Sequence, residues 1–135
     1  MTYQFIHKDK VRDYECDLQG IVNNSVYQNY LEHARHEFLQ HLNIDFAKLT
    51  AEGIHLVVTK AEIDYKRPLK PGDHYWIGTN LERVSKVRFA FLQNIYREGE
   101  TKPCIAARIT GTSLNERGRP CALLQLDAAL PAPSE

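Results

Sequence analysis

Cysteine is scarce in this chain, and what there is stands apart: Cys16, Cys104 and Cys121 are odd in number, widely spaced and form no CxxC pair. That pattern excludes a disulfide framework and a zinc ribbon, and all three read as free thiols of a reducing compartment. Charge of one sign is lacking too, since Lys+Arg number 17 and Asp+Glu 17. A general basic field for duplex nucleic acid or an anionic membrane is thereby excluded, although local basic pockets are not. No apolar run is long enough to cross a bilayer, and residues 1–12 lack the apolar block and cleavage site of a secretory leader. The expected location is cytoplasmic, with no nucleic-acid partner and no membrane insertion.

What is present is ordinary for a globular protein: 135 residues, 43% of them apolar and 25% charged. A chain of that size builds one core without a metal or disulfide staple. No internal repeat or linker divides it, so a single domain is expected over 1–130, followed by a flexible Pro- and Ser-containing tail over 131–135.

Residues 3–12 are rich in β-formers, and residues 12–24 then cluster Asp, Gly and Asn, which reads as a strand followed by a structured loop. Asn23, Asn24 and Ser25 are good N-caps. Behind them Val26, Tyr27, Tyr30, Leu31, Ala34, Phe38 and Leu42 recur at three- and four-residue spacing, which predicts a buried amphipathic helix closing near Asn43. Its polar face carries Glu32, His33, Arg35, His36, Glu37 and Gln40. Four runs of strand character follow at 55–65, 74–83, 88–96 and 105–114, separated by Gly-containing turns that predict antiparallel hairpins between successive strands. The fold class is α+β in the order β-α-β-β-β-β. One helix cannot cover a five-stranded sheet, so a homo-oligomer is expected.

The chemistry concentrates in the loop before the helix. A helix start presents unpaired backbone N–H groups and partial positive charge, which suits a carbonyl oxygen turning into an oxyanion. Asp17, seven residues upstream of Asn24, could attack or activate water against a carbonyl polarised by the backbone N–H of Asn24, without a metal. The plainer alternative makes Asp17 a turn residue and Asn23 and Asn24 mere caps.

The stretch VRDYECDLQGIVNNSVYQNYLEHARHEFL over residues 11–39, with YKRPLKPGD over 65–73, resembles the hotdog-fold acyl-CoA thioesterases of the 4-hydroxybenzoyl-CoA thioesterase type. The likeness covers nearly the whole chain. It implies a long central helix wrapped by a five-stranded antiparallel sheet, paired into a homodimer that is often doubled to a homotetramer, with active sites at the dimer interface. It also implies that Asp17 is the catalytic nucleophile or general base, that the Asn24 N–H polarises the thioester carbonyl, and that Gly20 lets the loop approach closely. Tyr27 and Asn23 would line the substrate site. The element Val22-Asn23-Asn24 is similar to that of long-chain fatty acyl-CoA thioesterases in the family.

The implied activity is hydrolysis of a fatty or aromatic acyl-CoA to free acid and CoA. No cofactor is expected, since coenzyme A is part of the substrate. A neutral protein must gather cations locally for the phosphates of that substrate. Lys86 and Arg88 correspond to the family segment that contacts the nucleotide end, whereas Lys66, Lys70, Arg117 and Arg119 read as solvated turn charges. Lys66, Arg67 and Lys70 form the second basic group. His33 and His36 occupy adjacent helical turns, but they form no HExxH and have no third ligand in sequence, so no metal site is expected. Trp76 reads as core or interface. Two rivals remain: a non-catalytic acyl-CoA-binding module on the same fold, which would not need Asp17, and a hydratase, which would want His where Ile21 stands.

Overall fold

The computed structural model describes residues 2–123, 125, 126 and 130. The tail expected over 131–135 lies outside the described residues. Strand β1 (Phe5–Lys10) leads through a single 3₁₀ turn (Asp13–Glu15) and a loop to the long helix α1 (Asn24–His41). The cap is Asn23, whose Oδ1 accepts the Ser25 N–H at 3.1 Å, and the helix stops just before Asn43, which takes a left-handed φ of 63°. Of the predicted stripe Tyr27, Tyr30, Leu31, Ala34 and Phe38 are buried and Val26 and Leu42 half-buried, and Leu39, which the spacing did not single out, is buried with them.

A second helix was not expected. Asp45 accepts the N–H groups of Ala47 at 2.9 Å and Lys48 at 3.3 Å and so starts α2 (Phe46–Ala51). At about one and a half turns it is too short to show a period. Strands β2 (His55–Tyr65), β3 (His74–Arg83), β4 (Arg88–Arg97) and β5 (Ile105–Leu114) follow, and a two-residue strand β6 (Pro120–Cys121), also unexpected, pairs with β5.

The sheet order is β1-β3-β4-β5-β2, with every pairing antiparallel. This corrects the expectation of hairpins between all successive strands. β3, β4 and β5 form such a meander, but β2 pairs with β5 and β3 with β1. From β2 to β3 the chain must pass three strand spacings, about 14 Å, which the loop 66–73 spans easily. The loop therefore crosses one end of the sheet, and α1 lies on the concave face. This is the hotdog arrangement, one long helix wrapped by an antiparallel sheet.

At the middle of the helix-facing side of the sheet the fully buried Gln93 donates to the Leu31 carbonyl at 3.1 Å and to Thr79 Oγ1 at 3.2 Å. On the opposite face Trp76 stacks on Tyr96 with ring centroids 4.2 Å apart, and Tyr3 folds back over Gly78. A Cβ there would stand 2.5 Å from the Tyr3 ring, so only glycine fits beneath it.

Candidate functional site

The loop between β1 and α1 is pinned at several points. Val11 and Asp73 exchange a hydrogen bond (Val11 N–H to Asp73 O) at 2.9 Å, and the Val22 N–H donates to the Leu69 carbonyl at 2.9 Å. Glu15 Oε1 accepts the Arg12 N–H at 2.7 Å and the Tyr30 hydroxyl at 2.8 Å. Between these anchors the chain doubles back, with Cys16 bridged to Val22. Asp17 lies one residue beyond that bridge on one side, and Asn24 two residues beyond it on the other.

Within the turn, the Asp17 N–H donates to the Ile21 carbonyl at 2.9 Å and the Gly20 N–H to the Asp17 carbonyl at 3.0 Å. The Asp17 side chain is held by one oxygen: Oδ1 accepts the Gln19 N–H at 2.9 Å and the Ile21 N–H at 3.5 Å. Among the described residues Oδ2 has no hydrogen-bond or ionic partner, and the residue is exposed. Asn24 opens α1, and no acceptor for its backbone N–H is found among the described residues. A carboxylate held by one oxygen and a helix-start N–H without an acceptor among the described residues thus share one loop.

Gly20 has a backbone reason to be glycine. Its φ is +77°, a left-handed conformation that favours glycine, and no other protein atom lies within 4 Å of where a Cβ would stand. Asn23 serves as the cap described above. Tyr27 is buried, its hydroxyl accepts the Leu69 N–H at 2.9 Å, and burial pushes its phenol proton affinity up. Its place is beneath the loop, fixing Leu69 and through it Val22. Cys16, beside Asp17, has its thiol pushed up by burial and then by the charges of Asp13, Asp17 and Glu15, which opposes thiolate chemistry.

Lys86 and Arg88 do not meet Asp17 within one chain. They lie where β3 ends and β4 begins, the far end of the sheet, about 30 Å down β3 from the loop 66–73. The nearer cations are Lys66 and Lys70, both exposed and flanking the Leu69 that holds Val22. Arg67 is engaged, donating to the Lys102 carbonyl at 2.7 Å and facing Glu100 at 3.5 Å. His33 and His36 each face an acid one turn away, Glu37 at 3.7 Å and Glu32 at 3.8 Å, and the His33 ring meets His7 at 4.9 Å. Among the described residues no three His, Cys, Asp or Glu side chains gather as a metal site.

Arg35 departs from its expected place on the polar face of α1. It is half-buried, and its guanidinium donates to Gln93 Oε1 at 3.1 Å. Sequence reasoning missed it because an arginine among His and Glu looks solvated until β2 and β5 close on that flank. No helix among the described residues is long and apolar enough to cross a membrane.

Comparison with known proteins agrees with this architecture. A chloroplastic acyl-acyl carrier protein thioesterase of Arabidopsis thaliana is 36% identical over 111 residues, 82% of this chain and 59% of that protein. A long-chain acyl-CoA thioesterase of Escherichia coli is 34% identical over 101 residues, 75% of this chain and 76% of that protein. The chain spans under three fifths of the length of two such plant relatives, 59% and 58%. Among solved structures, a hypothetical protein of Aquifex aeolicus superposes with a TM-score of 0.83 at 30% identity, covering 93% of this chain and 97% of that one. Residues 11–134 match the family model described as the thioesterase-like superfamily, and with the fold and these relatives that match places the chain in this superfamily.

Proposed function

We propose that the protein hydrolyses the thioester of a fatty or aromatic acyl-CoA, giving free acid and CoA. The observation that carries this reading is the Asp17 carboxylate, fixed through Oδ1 and without a partner at Oδ2 among the described residues, on the loop that leads to the Asn24 N–H at the helix start. In the reaction the Asn24 N–H and the helix start stabilise the negative charge developing on the thioester oxygen. Asp17 Oδ2 either takes a proton from the attacking water or attacks the carbonyl itself, forming an anhydride that water then opens. Either route expels the CoA thiolate and uses no cofactor. The matched relatives named for acyl carrier protein and for CoA share the pantetheine arm of the substrate, so the carrier is part of the question the assay answers.

The working unit is a homodimer, with a homotetramer as its doubled form. β2 is an eleven-residue edge strand exposed along most of its length, with Val58 53% and Tyr65 43% exposed. A long edge of that kind invites pairing. Two copies joined antiparallel along β2 by a two-fold axis continue the sheet and turn the second copy upside down in its plane. That rotation brings the second copy's Lys86 and Arg88 to the end where this copy carries Asp17, adding cations for the nucleotide phosphates to the Lys66 and Lys70 already there. Tyr14 at 82% and Leu18 at 107% exposure flank Asp17 and are covered in such an assembly or by substrate. The cytoplasm, where acyl-CoA is abundant and thiols stay reduced, is the compartment consistent with three free cysteines.

The test is thiol release from a panel of acyl-CoA and acyl carrier protein thioesters, short, long, branched and aromatic. Turnover of at least one class is expected. Tight binding with no release above background would leave the non-catalytic module as the correct reading.

A further inference from the structure

A cavity of about 210 Å³ opens between α1 and the start of β2, lined by Arg35, Leu39, Phe46, Leu56, Phe89 and Ile109 among others. Contacts at both ends of β2 fix how that strand lies against α1. Tyr65, at the finish of β2, stands beside the start of α1, with its hydroxyl 3.5 Å from the Asn24 carbonyl and its ring 5.9 Å from Tyr27. Leu56 and Val58, at the beginning of the same strand, stand beside Arg35 and Leu39. β2 therefore runs alongside α1 in the opposite direction, with the half-buried Ile63 between. From Asn24 to Arg35 is about 16 Å along the helix axis, the scale of a long acyl chain. An acyl chain whose thioester sits at Asn24 and that follows the seam between α1 and β2 reaches the cavity at about this length.

The cavity is lined by apolar side chains apart from Arg35 inside it and Glu32 and His36 at its rim. Arg35 is half-buried there, its only hydrogen bond goes to the neutral amide of Gln93, and no carboxylate lies within 4.0 Å of it among the described residues. The Nε2 of Gln93 donates to Leu31 and Thr79, which holds the amide with its oxygen toward Arg35, but a neutral amide offers only a dipole to the charge. Desolvation shifts the Arg35 proton affinity downward, the mark of a cation short of polar partners. An unadorned hydrocarbon pushed against it strips remaining water from the guanidinium and returns nothing. Glu32 and His36 share the rim, paired at 3.8 Å, and Glu32 repels an incoming carboxylate. An uncharged oxygen is the group that fits.

We infer that this cavity is a specificity site for the distal part of the acyl chain, and that Arg35 selects chains bearing a hydroxyl or keto oxygen far from the thioester. The inference rests on the proposed thioester chemistry for the direction in which the chain enters. Its test does not rest on turnover. S-alkyl pantetheine thioethers, which cannot be hydrolysed, are titrated calorimetrically into the full chain, in graded lengths with and without a terminal hydroxyl. At the length that reaches Arg35 the hydroxylated compound should bind about ten-fold more tightly than its parent, the worth of one hydrogen bond to a charged donor. Arg35→Met should erase that preference and strengthen binding of the plain chain.

Wild-type protein that discriminates at no length, or an Arg35→Met variant that keeps the preference, overturns the inference. Should the variant not fold, the wild-type comparison alone decides. Protein that discriminates in this assay yet releases no thiol from any thioester would remove the hydrolase reading and leave the binding site standing, while hydrolysis without discrimination would do the reverse.

Discussion

Leu69 and Val22 are joined by a 2.9 Å hydrogen bond from the Val22 N–H to the Leu69 carbonyl, and this bond ties the segment bearing Asp17 and Asn24 to the crossing loop 66–73. The loop is itself anchored by Arg97, which donates to the Pro68 carbonyl at 2.8 Å and faces Asp73 at 3.2 Å and Glu100 at 3.1 Å. On its inner side the Leu69 N–H finds the Tyr27 hydroxyl at 2.9 Å. The geometry of the helix start thus depends on the Tyr27 hydroxyl and the Arg97 guanidinium.

Tyr27→Phe tests that dependence. The buried Leu69 N–H loses its acceptor, which should cost about 1–3 kcal/mol of stability. Urea unfolding reads the cost directly. Activity should fall in kcat more than in KM, because the donor for the oxyanion is displaced while the binding surface remains. An unchanged unfolding midpoint would show that Leu69 finds another partner.

Alkaline pH should loosen the same region. Burial raises the phenols of Tyr30 and Tyr75, whose rings stack 4.8 Å apart, and Tyr3 is pushed up to about 12, chiefly by burial. In the unfolded chain a tyrosine ionises near pH 10. The folded state holds these protons more tightly, so its advantage is complete below about pH 10 and is lost as pH rises through the raised values. Unfolding midpoints measured from about pH 8 to about pH 12 should fall along the upper half of that range. Tyr75→Phe should make the fall shallower, and a flat profile in the wild type would refute the assignment.

Along the β2 edge, Val58→Lys places a charge where two copies would pair. Light scattering should report a dimer or tetramer for the wild type and a monomer for the variant, with activity lost alongside assembly. A wild-type monomer that turns over substrate would contradict the two-copy site.

Much of this architecture was legible before the structure, because α1 carries its period in Tyr27, Tyr30, Leu31, Ala34 and Phe38, and β2, β3 and β5 are bounded by clear turn residues. The position of β2 was not legible. A turn containing Pro68, Pro71 and Gly72 reads as a hairpin from local residues alone, and only the pairing of β2 with β5 reveals it as a crossing. α2 escaped because six residues show no periodicity and only the Asp45 cap announces it. At the site, Asp17, Gly20 and Asn24 were visible as turn and cap chemistry next to a helix start. Arg35 was hidden, since its burial arises from β2 and β5 folding against the flank of α1. The distance of Lys86 and Arg88 from Asp17 follows from the length of β3 and has no local signature.

The central claim is that the unpartnered oxygen of Asp17 does the chemistry, and Asp17→Asn tests it most directly. Asparagine keeps an oxygen for the Gln19 and Ile21 N–H groups, so the loop should hold while the proton-accepting or nucleophilic oxygen is gone. Thiol release from the best acyl-CoA should drop by about 10²–10⁴-fold in kcat with KM little changed. A variant as active as the wild type would contradict the account.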